Sequence, residues 1–164
     1  MTKTAIFNHT VINNLEFAVS EQFTQHDIAL DNLTRLSSLL QLNALGDVRY
    51  TLTGRAKQFG HPSLRLVIVA SLPVICQRCL SDMHQQIALD FTYLIGNMPD
   101  NDSDEGDAHD WLDSSPEMDI SALVEDELLL ALPIAPKHMS DCKAYATESG
   151  EKPNPFAVLK DLVK

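Results

Sequence analysis

The sequence predicts an α+β fold, an antiparallel β-meander packed with helices, on the basis of three observations. Apolar and polar residues alternate with a period of two over residues 47–57 and 84–95, and residues 63–75 form a largely apolar strand pattern between them. Leucines recur at three- and four-residue spacing before these segments, and a second helical stripe follows them. A chain of 164 residues, 45% of them apolar, can bury one core, so we expect a single domain over residues 1–164.

The segment before the sheet is predicted to contain a short strand and a helix. Leu15, Phe17 and Val19 alternate with other residues, and this pattern indicates a strand. The helix follows, and either Asp27 or Asp31 can cap its N-terminus. Its apolar stripe consists of Leu30, Leu33, Leu36, Leu39 and Leu40.

The second strand of the meander has apolar residues at both alternating positions. Leu66 and Ile68 belong to one face, and Val67 and Val69 belong to the other. We therefore expect a central strand that is covered on both faces. Pro73 indicates an edge or a distortion near the end of this strand, because proline has no N–H to donate to a neighbouring strand.

Two helices are predicted after the sheet. The first starts at about Ile120, where Asp119 is a suitable N-cap, and stops before Pro133. Residues 137–164 form a C-terminal extension that ends in a short helix. Such a helix is not stable alone in water, so it has to dock on the body or on a partner. The residues expected to begin this interaction tail and make its contacts are Asn154, Pro155, Phe156 and Leu159.

The net charge of −11 is concentrated in one part of the chain. Residues 97–127 contain 12 acidic residues and no Lys or Arg, so the rest carries 11 acidic and 12 basic residues. Acidity disfavours binding to a phosphate backbone, but this argument applies to the acidic part and not to the nearly neutral body. We expect residues 97–117 to be a flexible acidic loop that Trp111 and Leu112 hold to the body.

The middle of the chain is basic, since residues 35–78 carry six basic residues and one acidic residue. Basic side chains on one face of the predicted sheet could bind RNA or an acidic partner. The alternative is a solvated sheet face whose charges protect it from aggregation. The candidate residues for RNA or partner binding are Arg49, Arg55, Lys57, Arg65 and Arg78.

No segment predicts a membrane or secretory location. The longest apolar run, residues 66–76, is interrupted by Ser71 and is too short to span a bilayer. The first ten residues lack the apolar region of a secretory signal. We therefore expect a cytoplasmic protein that has no membrane partner.

A Cys-x-x-Cys pair at a hairpin turn is the strongest chemical signal in the sequence. Cys76 and Cys79 have the spacing of a zinc knuckle, and His138 and Cys142 could complete a four-ligand Cys₃His site. Such a site would hold a structural zinc ion, because four protein ligands leave no open position. Alternatively, the cysteines are small apolar residues in a turn, and the downstream pair belongs to a loop. A redox motif is disfavoured because it requires a helix N-terminus after the first thiol.

Glu125, Asp126 and Glu127 are adjacent carboxylates within a predicted helix. They could act as acid, base or Mg²⁺ ligands in a nuclease, although a run of this kind is more often a solvated helix face. The sequence contains no P-loop, no dinucleotide-binding glycine pattern and no Ser-His-Asp order. We therefore expect a protein that is not an enzyme and has no small-molecule substrate.

Three segments in order resemble the YceD family, the large ribosomal RNA subunit accumulation proteins. They are CQRCL at residues 76–80, DISALVEDELLLALPIAP at residues 119–136 and KPNPFAVL at residues 152–159, and the resemblance covers residues 28–164. It implies a bacterial cytoplasmic protein needed for the synthesis, processing or stability of 23S rRNA. Many relatives carry a second cysteine pair, in which His138 replaces one cysteine here.

The resemblance and the residues together lead to three functional hypotheses. The first is a non-catalytic ribosome-biogenesis factor whose partner is ribosomal RNA, a large-subunit ribosomal protein or an assembly intermediate. In this hypothesis the acidic segment at residues 100–117 engages a basic ribosomal protein. The second is a zinc-dependent structural adaptor, and the third is a nuclease that uses the adjacent carboxylates.

Overall fold

The described part of the chain comprises residues 11–40, 46–96, 110–140 and 142–144 of a computed structural model. Five strands form one sheet in the order β2-β3-β4-β5-β6, and a separate two-stranded pairing joins β1 to β7. The α+β prediction is therefore confirmed. In chain order the elements are β1 (Val11–Ile12), α1 (Asn14–Val19), β2 (Phe23–Ala29), a 3₁₀ turn (Leu30–Asn32), α2 (Thr34–Leu40), β3 (Asp47–Gln58), β4 (His61–Ile75), β5 (Asp82–Ile95), β6 (Asp110–Leu112), β7 (Met118–Asp119) and α3 (Ile120–Ala131).

Strands β3, β4 and β5 form the predicted antiparallel meander, and their inner face carries the core. Residues directly opposite each other, such as Tyr50 and Ile68, share a face of the sheet. Helix α1 packs on β3 and β4, and α2 contacts α3. Burial of these apolar side chains is the main driving force of the fold. The largest buried side chains are those of Tyr50, Leu33, Leu36, Leu52, Leu64, Leu66, Ile68, Leu72, Ile120 and Leu128.

The predicted strand at Leu15, Phe17 and Val19 is wrong, because these residues belong to helix α1. The Asn13 side chain caps this helix by accepting a hydrogen bond from the Glu16 N–H at 3.0 Å. Helical periodicity buries Phe17 together with Ala18, while Val19 points to solvent. The period-two pattern was thus coincidental over a segment of only six residues.

Strand β2 occupies the segment where the leucine-rich helix was predicted to begin. Neither Asp27 nor Asp31, the two proposed N-caps, caps that helix. Asp27 lies in β2 opposite Arg49 of β3, and Asp31 lies in the 3₁₀ turn before α2. Only Ile28 of β2 is fully buried, so this edge strand has no strong apolar alternation for the sequence to reveal. The helix itself is confirmed from Thr34 onward.

Strand β4 is central, but it is covered on one face only. Leu66 and Ile68 are fully buried, whereas Val69 on the other face is 54% exposed. The expectation of two covered faces is therefore wrong. Pro73 lies beyond Ser71, where the pairing with β3 ends, so its missing N–H breaks no bond to β3. The predicted local edge is confirmed, while the pairing with β5 continues to Ile75.

The predicted loop at residues 97–117 contains a short strand within its described part. Asp110–Leu112 form β6, which pairs in parallel with the end of β5 and places Trp111 opposite Leu94. The Trp111 ring also contacts the His61 ring, with centroids 4.9 Å apart. Residues 97–109 lie outside the described part. No helix within the described ranges is long and apolar enough to cross a membrane.

Gly54 of β3 allows helix α1 to approach the sheet closely. A Cβ atom at this position would overlap the Phe17 carbonyl oxygen and would lie 2.8 Å from the Ala18 Cα. The Gly54 N–H also donates a hydrogen bond to the Gln22 carbonyl oxygen at 2.8 Å. Glycine is therefore required here by the backbone-to-backbone contact.

We predict that Gly54→Ala lowers the free energy of unfolding by about 1–3 kcal/mol, the typical cost of overpacking. Chemical denaturation followed by circular dichroism measures this loss. The control is Thr53→Ala on the other face of the same strand, for which a smaller loss is expected. Equal losses for the two variants would show that the close approach of α1 does not matter.

The carboxylate of Glu125 joins α3 to the N-terminus of α2. Its Oε1 accepts hydrogen bonds from the N–H groups of Arg35 at 2.8 Å and Leu36 at 3.0 Å, and its Oε2 accepts one from Arg35 Nε at 2.8 Å. Glu125 is only 6% exposed. It therefore satisfies backbone donors at the start of α2 that have no partner within that helix.

Glu125→Gln should lower the free energy of unfolding at pH 7 by about 2 kcal/mol, since the charge is removed and the oxygen that accepts from Arg35 Nε becomes an NH₂ donor. Burial raises the pKa of Glu125, but the Leu36 N–H and the Arg35 side chain and N–H outweigh it and hold the pKa below its usual value. The charged form therefore stabilises the fold above the unfolded-chain pKa of about 4.3, and this contribution disappears as the pH falls through the lower folded pKa. Denaturation at a series of pH values should show the difference between wild type and variant shrinking below pH of about 4.

The matched control for Glu125 is Asp126→Asn. Asp126 also accepts a hydrogen bond from Arg35, at 2.6 Å, but both side chains are 52% exposed. Solvent screens this pair, so the loss of stability should be clearly smaller. A loss as large as that of the Glu125 variant would contradict the importance of the buried carboxylate.

Candidate metal centre

A tight turn between β4 and β5 carries the Cys-x-x-Cys pair, as predicted. The two strands pair up to Ile75 and Asp82. Within the turn, the Cys76 N–H donates to the Ser81 carbonyl oxygen, and the Leu80 N–H donates to the Cys76 carbonyl oxygen, both at 2.9 Å. This strand-to-strand context excludes the helix N-terminus that a redox Cys-x-x-Cys motif requires.

The chain after α3 returns to this turn and brings the second pair of ligands with it. Asp119 caps the start of α3, as predicted, by accepting hydrogen bonds from the N–H groups of Ser121 and Ala122. The helix ends at Ala131, before Pro133. Further on, the Pro136 carbonyl oxygen accepts a hydrogen bond from the Gln77 N–H at 2.8 Å. The segment that contains His138 is thus attached to the turn by the backbone itself.

Cys76, Cys79, His138 and Cys142 lie together, and we call them the four-ligand cluster. Their ligand atoms all lie within 4.8 Å of one another. The sulfur atoms of Cys76 and Cys142 are 3.7 Å apart, and the Cys79 sulfur is 3.5 Å from His138 Nδ1. Among the residues that the structure describes, this is the one such group of three or more His, Cys, Asp or Glu side chains.

Two ligand-atom separations within the four-ligand cluster match those of a tetrahedral zinc site. Zinc binds sulfur at about 2.3 Å and nitrogen at about 2.0–2.1 Å. On a tetrahedron with these bonds, two sulfur atoms lie about 3.8 Å apart, and a sulfur and a nitrogen lie about 3.6 Å apart. The observed values of 3.7 Å and 3.5 Å agree with both. Three thiols and one imidazole favour zinc over hard cations such as Mg²⁺.

The electrostatics of the cluster favour an ionised Cys76. Burial raises the pKa of the Cys76 thiol, but hydrogen bonds from the backbone N–H groups of Cys79, His138 and Arg78, together with the Cys79 side chain, lower it to about 5. The pKa of Cys142 is raised by burial and by the two neighbouring cysteines, against the opposing effect of Arg78. A thiolate is the form that binds a metal, so the turn prepares Cys76 as a ligand.

Arg78 lies inside the Cys-x-x-Cys turn and contacts the opposite half of the cluster. Its Nε donates a hydrogen bond to the Cys142 sulfur at 3.0 Å, and its Nη2 donates one to the Ser140 carbonyl oxygen at 2.8 Å. Arg78 is partly buried in this position. The sequence shows that Arg78 lies within the motif, but it does not reveal that the partner of Arg78 is Cys142, 64 residues away.

The other basic residues predicted to bind RNA or a partner are located on the sheet. Arg49 binds Asp27 with an Nε–Oδ1 distance of 2.6 Å, and Arg65 binds Asp90 with an Nε–Oδ1 distance of 2.9 Å. Both arginines remain at least half exposed. Arg55 and Lys57 lie further along β3 and are also exposed. Arg78 is separate from this group, at the turn.

The three adjacent carboxylates of α3 bind separate groups of neighbouring elements, although Glu125 and Asp126 both contact Arg35. Glu125 binds the start of α2, Asp126 binds Arg35, and Glu127 accepts a hydrogen bond from the buried Tyr93 hydroxyl at 2.8 Å. Burial, together with this hydrogen bond, raises the pKa of Tyr93. The side chains therefore neither form a common carboxylate site nor act together as a solvated face.

The predicted interaction tail, Asn154, Pro155, Phe156 and Leu159, lies outside the described residues. A surface depression with a volume of about 900 Å³ is lined by residues at one end of β2, β3 and β4, including Asp27, Arg49 and Ser71. None of the four cluster residues lines it. The four-ligand cluster is therefore separate from this depression.

Comparison with known proteins gives a consistent result. A sequence profile described as "Large ribosomal RNA subunit accumulation protein YceD" matches residues 64–163. The chain is 31% identical over 146 residues to a Haemophilus influenzae protein with this name, and the alignment covers 82% of this chain and 83% of the relative. No solved structure matches the chain significantly. The profile match and the extent of this alignment establish that the chain belongs to the YceD family.

Proposed function

We propose that this protein is a non-catalytic factor of ribosome biogenesis that acts in the cytoplasm on the synthesis, processing or stability of 23S rRNA. The observation that carries the proposal is family membership over most of the chain, since the related Haemophilus influenzae protein is named for large ribosomal RNA subunit accumulation. The partner is ribosomal RNA, a large-subunit ribosomal protein or an assembly intermediate that contains both.

The arrangement of the carboxylates supports a non-catalytic mechanism. Glu125 is buried and needed for helix contacts, and Glu127 holds a tyrosine hydroxyl. A nuclease of the metal-dependent kind needs several carboxylates that share one cation. The described residues contain no carboxylate group of this kind, so the nuclease hypothesis has no support from the part of the chain that is described.

The charges favour a basic protein as the direct partner of the acidic segment. Arg49 and Arg65, two of the basic candidates on the sheet, already pair with Asp27 and Asp90, so less positive charge is available there for phosphates. Residues 97–127 carry 12 acidic residues and no basic one. Ribosomal proteins of the large subunit that carry excess positive charge have the complementary chemistry.

Neutralising Asp102, Asp104 and Glu105 to their amides should weaken binding to large-subunit assembly intermediates. We expect the fraction of the protein that co-sediments with these particles to fall several-fold, and the ratio of 23S to 16S rRNA to decrease. This design leaves residues 110–112 unchanged, because they form β6 and belong to the sheet. Raising the salt concentration should weaken wild-type binding in the same way.

The control removes the same amount of charge from exposed positions elsewhere. Glu16, Asp31 and Asp82 are exposed and lie outside the acidic segment. Amides at these three positions should leave co-sedimentation unchanged. Normal co-sedimentation and a normal 23S to 16S ratio in the first variant would disprove the mechanism.

We also propose that the four-ligand cluster holds one structural Zn²⁺, which makes the protein a zinc-dependent adaptor. The support is the agreement of two ligand separations with a zinc tetrahedron and the thiol-rich donor set. The ion would fix the chain around residues 136–142 against the β4–β5 turn. Because all four positions would be taken by protein ligands, the metal would stabilise structure and would not bind substrate.

Protein purified without a tag or chelators should contain about one zinc per chain by elemental analysis. His138→Ala and Cys79→Ser should each reduce this content strongly, because each removes a ligand. His84→Ala is the matched control, since His84 is an exposed histidine on β5 of the same hairpin, and zinc content should remain unchanged. A zinc content near zero in the wild type would disprove the zinc proposal and leave the ribosomal one standing.

A further inference from the structure

We propose that Arg78 is a positioning residue of the zinc site that sets the affinity for the metal and protects the Cys142 sulfur from attack. This inference rests on the proposed zinc site and goes beyond its ligands. Residues that hydrogen-bond to metal ligands commonly fix the orientation of the ligand and tune the metal. Arg78 meets this description because it contacts a ligand sulfur directly.

The geometry of Arg78 restrains one ligand in two places. Its Nε–H points to the Cys142 sulfur at 3.0 Å, and its Nη2–H points to the Ser140 carbonyl oxygen, two residues earlier, at 2.8 Å. A planar guanidinium offers these donors in a rigid fork, so it fixes the sulfur and its backbone together. Arg78 itself lies between Cys76 and Cys79 in the sequence. It therefore connects the two halves of the site.

The charge of Arg78 complements that of the loaded site. Three thiolates and one neutral imidazole around Zn²⁺ carry a net charge of −1, and an arginine always carries +1. A charge-assisted hydrogen bond to a thiolate also engages a lone pair of the sulfur, so this lone pair is less available for nucleophilic attack. In the zinc-loaded site, where the metal holds all three sulfurs as thiolates, the Cys142 sulfur should therefore react more slowly with alkylating agents when Arg78 is present.

The experiment compares Arg78→Gln, Arg78→Lys and wild type by two measurements. Competition with a chromogenic chelator should show a zinc affinity about 10- to 100-fold lower for Arg78→Gln. Alkylation of the zinc-loaded Arg78→Gln protein by N-ethylmaleimide, mapped by mass spectrometry, should be faster than in wild type at Cys142 and not at Cys79. Arg78→Lys keeps the charge but not the fork, so an intermediate value is expected.

Lys137→Gln is the control for charge alone. Lys137 is exposed and precedes the ligand His138, so this change removes one positive charge near the cluster without removing the bond to sulfur. Its zinc affinity should stay within about two-fold of wild type, as is usual for a screened surface charge. An affinity loss equal to that of Arg78→Gln would overturn the role of the hydrogen bond.

Spectra of the Co²⁺-loaded variants test whether the site still assembles. Thiolate-to-cobalt absorption of wild-type intensity in Arg78→Gln would show that three thiolates still bind, so that a lower affinity reflects Arg78 itself. Wild-type affinity and wild-type Cys142 reactivity in Arg78→Gln would overturn this inference and leave the zinc proposal intact. A wild-type chain that binds no zinc would overturn both.

Discussion

A buried carboxylate, that of Glu125, organises the helical layer on which the sheet depends. Helices α1 and α2 are six and seven residues long, too short to be stable by themselves. They persist because they cover the apolar inner face of the sheet, and Glu125 joins the start of α2 to α3. Since α3 also leads to the segment that contains His138, the same helix connects the core to the four-ligand cluster.

The sequence predicted those features whose cause is local. The strand patterns of β3, β4 and β5, the Asp119 cap and the Cys-x-x-Cys turn depend on neighbouring residues and were all confirmed. The features that were missed depend on contacts distant in sequence. Glu125 finds its partners 90 and 89 residues away, and Arg78 finds its partner 64 residues away. Strand β2 was missed because only one of its residues is fully buried.

The candidate site shows the same division between local and distant information. The four ligand residues could be named from spacing and residue type, but only the fold brings the two pairs within 4.8 Å. The predicted basic surface gave a different outcome, because Asp27 and Asp90 could not be recognised in advance as the partners of Arg49 and Arg65. Charge counted along a sequence therefore overestimated the charge that the sheet offers to a ligand.

The proximity of Cys76 and Cys142 would have a consequence for the entropy of the unfolded chain if one metal ion joined them. The two residues are 66 positions apart, and the chain between them includes β5, the acidic segment and α3. A metal ion that joined them would close this loop, and by the estimate used for cross-links it would restrict the unfolded chain by about 4 kcal/mol. The acidic segment would then be part of one closed ring of chain. Loss of a single ion would release that ring, so the cellular supply of the metal would help to set how much folded protein is present.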